Sequence, residues 1–151
     1  MIQRIQSIYL AIAILAMSFA LFLPFATYSV LEETTEYSAF GFERHKELSF
    51  FFPVVYPIVL SLVLSLLAVF SFKNRKRQLM FNKINFLVVM VSIVFIFVNF
   101  NQIESTFSLV PEKIDYGIGI FFPILAFVAI IMASRAINQD EKLIKSMDRI
   151  R

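Results

Sequence analysis

Charged residues in this chain sit between long apolar blocks and do not alternate with apolar positions. Ile5 to Leu31 is an uncharged run of 27 residues, Phe50 to Phe72 one of 23, Ile84 to Ile103 one of 20 and Tyr116 to Ser134 one of 19. A bilayer core about 30 Å thick needs roughly 20 helical residues to cross it. The apolar residues surround each block instead of forming one stripe, as a lipid-facing helix requires. In Phe50 to Phe72, 16 residues are Phe, Leu, Ile or Val. At roughly −0.3 to −0.6 kcal/mol each, they favour insertion by about 5–10 kcal/mol.

The pattern predicts an all-α membrane protein with one integral membrane domain over 1–151, a four transmembrane helix bundle. Its helices are expected at about 5–26, 50–72, 84–103 and 116–137. The first block is too long for a signal-peptide core, and no small-x-small cleavage site follows "LFLPFATYSV".

Charge then orients the spans. Four crossings put both termini on one side, with the turn at 73–83. That side carries Arg4, Lys73, Arg75, Lys76, Arg77, Lys83, Arg135, Lys142, Lys145, Arg149 and Arg151, against the acids Asp140, Glu141 and Asp148. The other side carries only Arg44, Lys46 and Lys113 among its basic residues, with most of the acids. Positive residues are retained in the cytoplasm, so both termini are expected there. The run "SFKNRKRQ" is then a cytoplasmic turn, and Lys73, Arg75, Lys76 and Arg77 are expected to set topology and meet anionic head groups. No nucleic-acid partner is expected, because the run has no recognised fold around it.

The loops and tail add detail. In the first outer loop, "TYSVL" and "EYSAFGF" have strand-like composition around "EETT", which predicts a small β-hairpin. All five prolines fall in outer loops or the outward parts of helices. Tyr56, with Phe51, Phe52, Phe121 and Phe122, could line an outer-leaflet groove; interfacial anchoring is the plainer role for such aromatics. Ala16 and Ala20, Ser61 and Ser65, and Ala129 and Ala133 repeat at four-residue spacing and mark helix contacts. Asn85 and Asn99 are placed to hydrogen-bond across the bundle. In the tail, Ile137, Leu143, Ile144, Met147 and Ile150 share a helical face flanked by basic residues. An amphipathic helical tail, about 138–151, either continues helix four or lies along the membrane.

Candidate chemistry is sparse. There is no cysteine, and the single histidine, His45, lies between Arg44 and Lys46 in an outer loop. A lone histidine among cations is a poor metal site. Glu32, Glu33 and Glu36 lack the ordered ligand spacing of a calcium loop. The apolar blocks contain no Asp, Glu, Lys, Arg or His, and Ser18, Ser61, Ser65 and Ser92 have no base at their depth. No catalytic residue, metal site or cofactor is expected, and the chain is read as a non-enzyme.

Three stretches, "MIQRIQSIYL", "FKNRKRQ" and "RAINQDEKLIKSMDRIR", resemble a family of small four-helix integral membrane proteins from Bacteroidota known only as a domain of unknown function. The resemblance implies a bacterial cytoplasmic (inner) membrane location and carries no site residues. Layout alone also resembles claudin-like four-helix proteins, with inside termini and a longer first outer loop. Those proteins carry a Trp and paired Cys in that loop, and this chain has no Trp and no Cys.

The function expected on these grounds is a structural or accessory membrane role through contacts with the bilayer and with a membrane-protein partner or a second copy of the chain. The alternative is binding or transport of a lipid or small hydrophobe in the Phe-rich outer groove.

Overall fold

The computed structural model describes residues 3–30, 33–44, 47–49, 53–72, 74–106 and 113–148. Four helices, α1 (Gln3–Phe22), α2 (Val55–Phe70), α3 (Arg75–Thr106) and α4 (Phe121–Asp148), make up most of it. Between them lie strands β1 (Ala26–Val30), β2 (Glu33–Ser38), β3 (Gly41–Arg44), β4 (Glu47–Ser49) and β5 (Lys113–Tyr116). The stretches Ile5–Phe22, Arg75–Gln102 and Ile118–Glu141 are long and apolar enough to cross a membrane. With its 16 residues α2 is shorter, and at 1.5 Å per residue it reaches about 24 Å.

The helices pack in the ring α1-α2-α3-α4, with α1 closest to α4 and α2 closest to α3. Small residues allow the tightest of these approaches: Ala13, Ala16 and Ala20 on α1 and Ala126, Ala129 and Ala133 on α4 are all buried. Aromatic pairs fix the registers. Phe19 lies 5.3 Å from Phe122 between ring centroids, and Phe86 stacks on Phe127 at 4.8 Å. Successive helices run in opposite directions, so α1 and α3 begin, and α2 and α4 end, at one pole. Lys76, Arg77, Lys83 and Arg135 are exposed toward it; it is called the basic end below.

All four helices differ in bounds from the expected ones. Pro24 cannot donate to a helix and disfavours helical backbone before it, so α1 stops at Phe22 and the chain turns into β1. At the basic end, Asn74 N donates to the Ser71 carbonyl at 2.9 Å. Asn74 then caps α3, its Oδ1 accepting from Arg77 N at 3.2 Å. Arg75, Lys76 and Arg77 therefore occupy the first turn of α3 and not a loop. Between the two forms expected for the tail, α4 continues unbroken to Asp148.

The all-α class needs correction. A five-stranded antiparallel sheet, ordered β4-β3-β2-β1-β5, covers the pole opposite the basic end. A hairpin is present as β1 and β2, paired from Ala26↔Tyr37 to Val30↔Glu33, but shifted from the expected one. Glu33 to Thr35 of "EETT", read as the turn, lie in β2, and "EYSAFGF" runs from β2 through the 39–40 turn into β3. Two further strands extend it, and β5 from the second connection closes on β1, with Tyr28 opposite Ile114. Gly41, at φ 126°, makes the β2–β3 turn in a conformation that a side chain would strain.

Candidate functional site

Polar side chains converge inside the helical body. Along α3, Gln78, Asn82, Asn85, Val89, Ser92, Ile96 and Asn99 are all buried, and they follow one another at alternating spacings of four and three. That spacing keeps one stripe facing the neighbouring helices. Five of the seven residues are polar, so the inward stripe of α3 is a polar seam and its outward surface is apolar. Leu87, Met90, Val91, Val94 and Phe97 are exposed on that outer surface. Apolar side chains outside and hydrogen bonds inside reverse the usual arrangement of a helix in water.

The seam finds partners on α2 and β2. Asn85 Nδ2 donates to Ser65 Oγ on α2 at 2.7 Å. Ser92 Oγ donates to the Val89 carbonyl at 2.7 Å. Near the sheet, Asn99 Nδ2 donates to Tyr37 Oη on β2 at 2.8 Å. At the basic end, Gln6 of α1 donates through Nε2 to Asp140 Oδ2 of α4, and both residues are buried. The expectation that Asn85 and Asn99 would bond across the helices is met. The apolar blocks hold no ionisable group, as read from sequence; Asp140, six residues beyond the fourth block, is nonetheless buried at 4% exposure.

Not every group in the seam is satisfied. Ser61 Oγ, Gln78 Oε1, both polar atoms of Asn82, Asn85 Oδ1, Asp140 Oδ1 and Arg75 Nη1 are buried without a hydrogen-bond partner in the protein. Each such atom costs about 1–3 kcal/mol. These atoms cluster toward the basic end. Leu10, Ala68 and Ala133 form a layer there with Phe81 packed against it. Asn82 is level with that layer, Asn85 and Ser65 lie just sheetward, and Gln78, Gln6 and Asp140 lie beyond it.

Tyr37 joins the seam to the sheet. It is among the largest fully buried side chains, with Phe25 at 5.5 Å and Phe100 edge-on at 5.3 Å. Burial pushes its phenol up to about 12 from the usual 10, with the Asn99 hydrogen bond acting the other way. The folded state thus favours the neutral phenol. Its contribution is fully present below pH 10 and is lost as pH rises toward 12. The thermal midpoint of the wild type should fall more steeply than that of Tyr37→Phe between these values. Parallel slopes for the two proteins would show that Tyr37 does not ionise with unfolding.

The backbone also ties sheet to helices. Phe25 N donates to the Tyr37 carbonyl at 2.7 Å, Gly117 N to the Phe25 carbonyl at 2.9 Å and Gly119 N to the Pro24 carbonyl at 3.1 Å. A Cβ on Gly117 would stand 2.2 Å from Pro24 O, and one on Gly119 2.5 Å from it. Only glycine permits this approach of the two chain segments that enter the sheet.

Residues expected to matter from sequence are distributed as follows. Lys76 and Arg77 are exposed at the basic end, and Arg75 is half-buried with one guanidinium nitrogen inside. Tyr56 and Phe121 are exposed at the sheet end, on α2 and α4, which stand on opposite corners of the ring. Phe122 is half-buried and turned onto Phe19. Lys73, Phe51, Phe52, His45 and Glu32 lie outside the described residues. Sequence reasoning missed Gln6, Gln78, Asn82, Asp140 and Tyr37. The four-and-three spacing along α3 was the signal that could have found two of them, Gln78 and Asn82.

Fold and seam together define a mostly helical protein with three helices able to cross a membrane, a polar interior and a sheet seated on one pole. The chain belongs to the family described as a domain of unknown function (DUF4293), whose model matches residues 2–150. No curated protein matches it.

Proposed function

We propose that the chain is a non-enzymatic integral membrane protein of the bacterial cytoplasmic membrane. In this reading it crosses four times with both termini inside and presents its sheet outside as a rigid platform for a membrane-protein partner or a second copy of itself. The observation that carries the reading is the mounting of the sheet. Two separate connections supply its strands, and Tyr37, Gly117 and Gly119 fix them to the helix ends. A loop that only joined helices would need no such fixation. Edge strands β4 and β5 leave backbone groups to pair with another chain.

The fourth crossing rests on α2. It lies between α1 and α3 and exposes Val59, Leu60, Val63, Leu66 and Leu67 along its length, as a lipid-facing helix does. Its shortness is compatible with local thinning of the bilayer. The orientation rests on the basic end. Cations in the first turn of a helix oppose its dipole, so Arg75, Lys76 and Arg77 are not there to stabilise α3. Anionic head groups supply the compensating attraction.

A photo-crosslinker at Phe40, which is 44% exposed in the β2–β3 turn, tests the platform in growing cells. One discrete adduct, whose mass identifies a partner or a dimer, is the expected result, with none from Leu66 on the lipid-facing side of α2. Lipid adducts alone at both positions would count against the platform and favour the lipid-binding alternative.

A further inference from the structure

We propose that strand β5 pairs with β5 of a second copy of the chain, joining two sheets edge to edge outside the membrane. This pairing rests on the platform reading and names the platform's occupant. Among the described residues, no strand pairs with β5 on the side away from β1. Gly117 N donates to the Phe25 carbonyl, so by alternation Asp115 and Lys113 direct their backbone groups to β1. Ile114 and Tyr116 therefore turn their N–H and C=O groups to the open edge. That edge stands beyond the helices. Tyr116 shares a cross-strand row with Ala26 and Tyr37, yet it is 65% exposed where they are 0% and 2%.

Symmetry and charge then fix the register. Tyr28 and Tyr37 are buried in the core and mark the helix-facing side of the sheet. Two copies in one membrane turn that side the same way, and directly opposed residues of an antiparallel pair share a face. The two-fold axis must therefore pass through a residue of β5 and not between two. An axis at Lys113 or Tyr116 would overlap the strands by one residue only. An axis at Asp115 opposes two carboxylates, whereas one at Ile114 sets Lys113 of each copy opposite Asp115 of the other. Unlike charges directly opposite stabilise a sheet and like charges destabilise it. The axis at Ile114 also makes a hydrogen-bonded pair of the two Ile114 residues, each N–H donating to the other's carbonyl. The other edge strand, β4, is Glu47–Leu48–Ser49; it carries no cation and offers no such match.

The chain has no cysteine, so single ones report the contact in membranes of cells making the full-length protein. Ile114→Cys should form a disulfide-linked dimer on treatment with copper phenanthroline, and Asp115→Cys alone should form little. Should Ile114→Cys fail to accumulate, Lys113→Cys and Asp115→Cys on two differently tagged copies read the same contact as a mixed dimer. Adding Lys113→Glu to Ile114→Cys is expected to cut the dimer about fivefold, and adding Asp115→Lys as well to restore it. Absence of the dimer from protein present in the membrane would overturn the proposal. So would stronger crosslinking at Asp115→Cys than at Ile114→Cys, or a dimer indifferent to the charge reversal. The two readings fail separately. Another protein captured at Phe40 with no β5 dimer leaves the platform standing, and lipid alone at Phe40 with no β5 dimer removes both.

Discussion

Replacing Tyr37 by alanine is expected to cost about 3–5 kcal/mol, the range for emptying a buried aromatic site. The ring sits between Phe25 and Phe100, and its hydroxyl accepts the amide of Asn99. Truncation opens a cavity where β2 meets α3 and leaves a buried amide without that acceptor. The damage should be local in origin, because the helices keep their own contacts. Denaturant unfolding should show the lowered midpoint, and limited proteolysis should cut between β2 and β3 well before the helices. Tyr37→Phe separates the two contributions. It keeps the ring contacts and gives up the hydrogen bond, so its loss should be about 1–2 kcal/mol. If the phenylalanine and alanine variants were equally destabilised, the hydrogen bond and not the packing would hold the sheet.

The second large effect is expected at Gly117. A methyl group there would lie 2.2 Å from the Pro24 carbonyl oxygen and 2.9 Å from its carbon, both of them backbone. No rotamer change relieves that overlap. The segment entering η1 (Ile118–Ile120) must move away, which breaks the Gly117–Phe25 and Gly119–Pro24 hydrogen bonds. Steric strain and two lost bonds together come to about 3–5 kcal/mol. Gly117→Ala should therefore give little monodisperse protein, and Gly119→Ala should behave alike. Ile118→Ala changes an exposed side chain between them and should be nearly silent. Normal yield and midpoint for Gly117→Ala would mean that β1 and β5 are not held this closely.

Particular residues show where sequence was a good guide and where it was not. The apolar blocks located all four helices, since a long apolar run is a property of composition along the chain and needs no partner to be seen. That a β-hairpin follows α1 was legible from "TYSVL" and "EYSAFGF", because strand preferences are local, but the turn was misplaced. "EETT" supplies Glu33 to Thr35 of β2, and "EYSAFGF" contains the β2–β3 turn. Strand β5 was not, since "KIDY" is short and its partner, β1, is distant in sequence. The seam was half visible. Asn85 and Asn99 stood out inside an apolar block, but Gln78 and Asn82 were assigned to a loop because charges end an apolar run. Helix formation does not stop at charge: Arg, Lys and Gln are good helix formers, and Asn74 begins α3 at Arg75. Extending the helix by those turns would have revealed the stripe from Gln78 to Asn99.

Asp140 was misjudged for a related reason. It lies just beyond the fourth apolar block, where water was expected, and only tertiary packing brings Gln6 against it. The aromatic groove rested on clustering in sequence. Tyr56, Phe121 and Phe122 do share the sheet end, but the ring order of the helices sets α2 and α4 on opposite corners. Adjacency in a helix ring is a property of packing, and residue spacing does not encode it.

The central claim is that the sheet and the basic end face opposite sides of a membrane. The chain contains no cysteine, so a single one can be placed at Phe40 in the sheet or at Arg77 in the first turn of α3. A membrane-impermeant maleimide applied to intact spheroplasts reads the side directly. The account predicts labelling at Phe40→Cys at once and at Arg77→Cys only after lysis. Labelling of Arg77→Cys from outside, with Phe40→Cys protected until lysis, would contradict it.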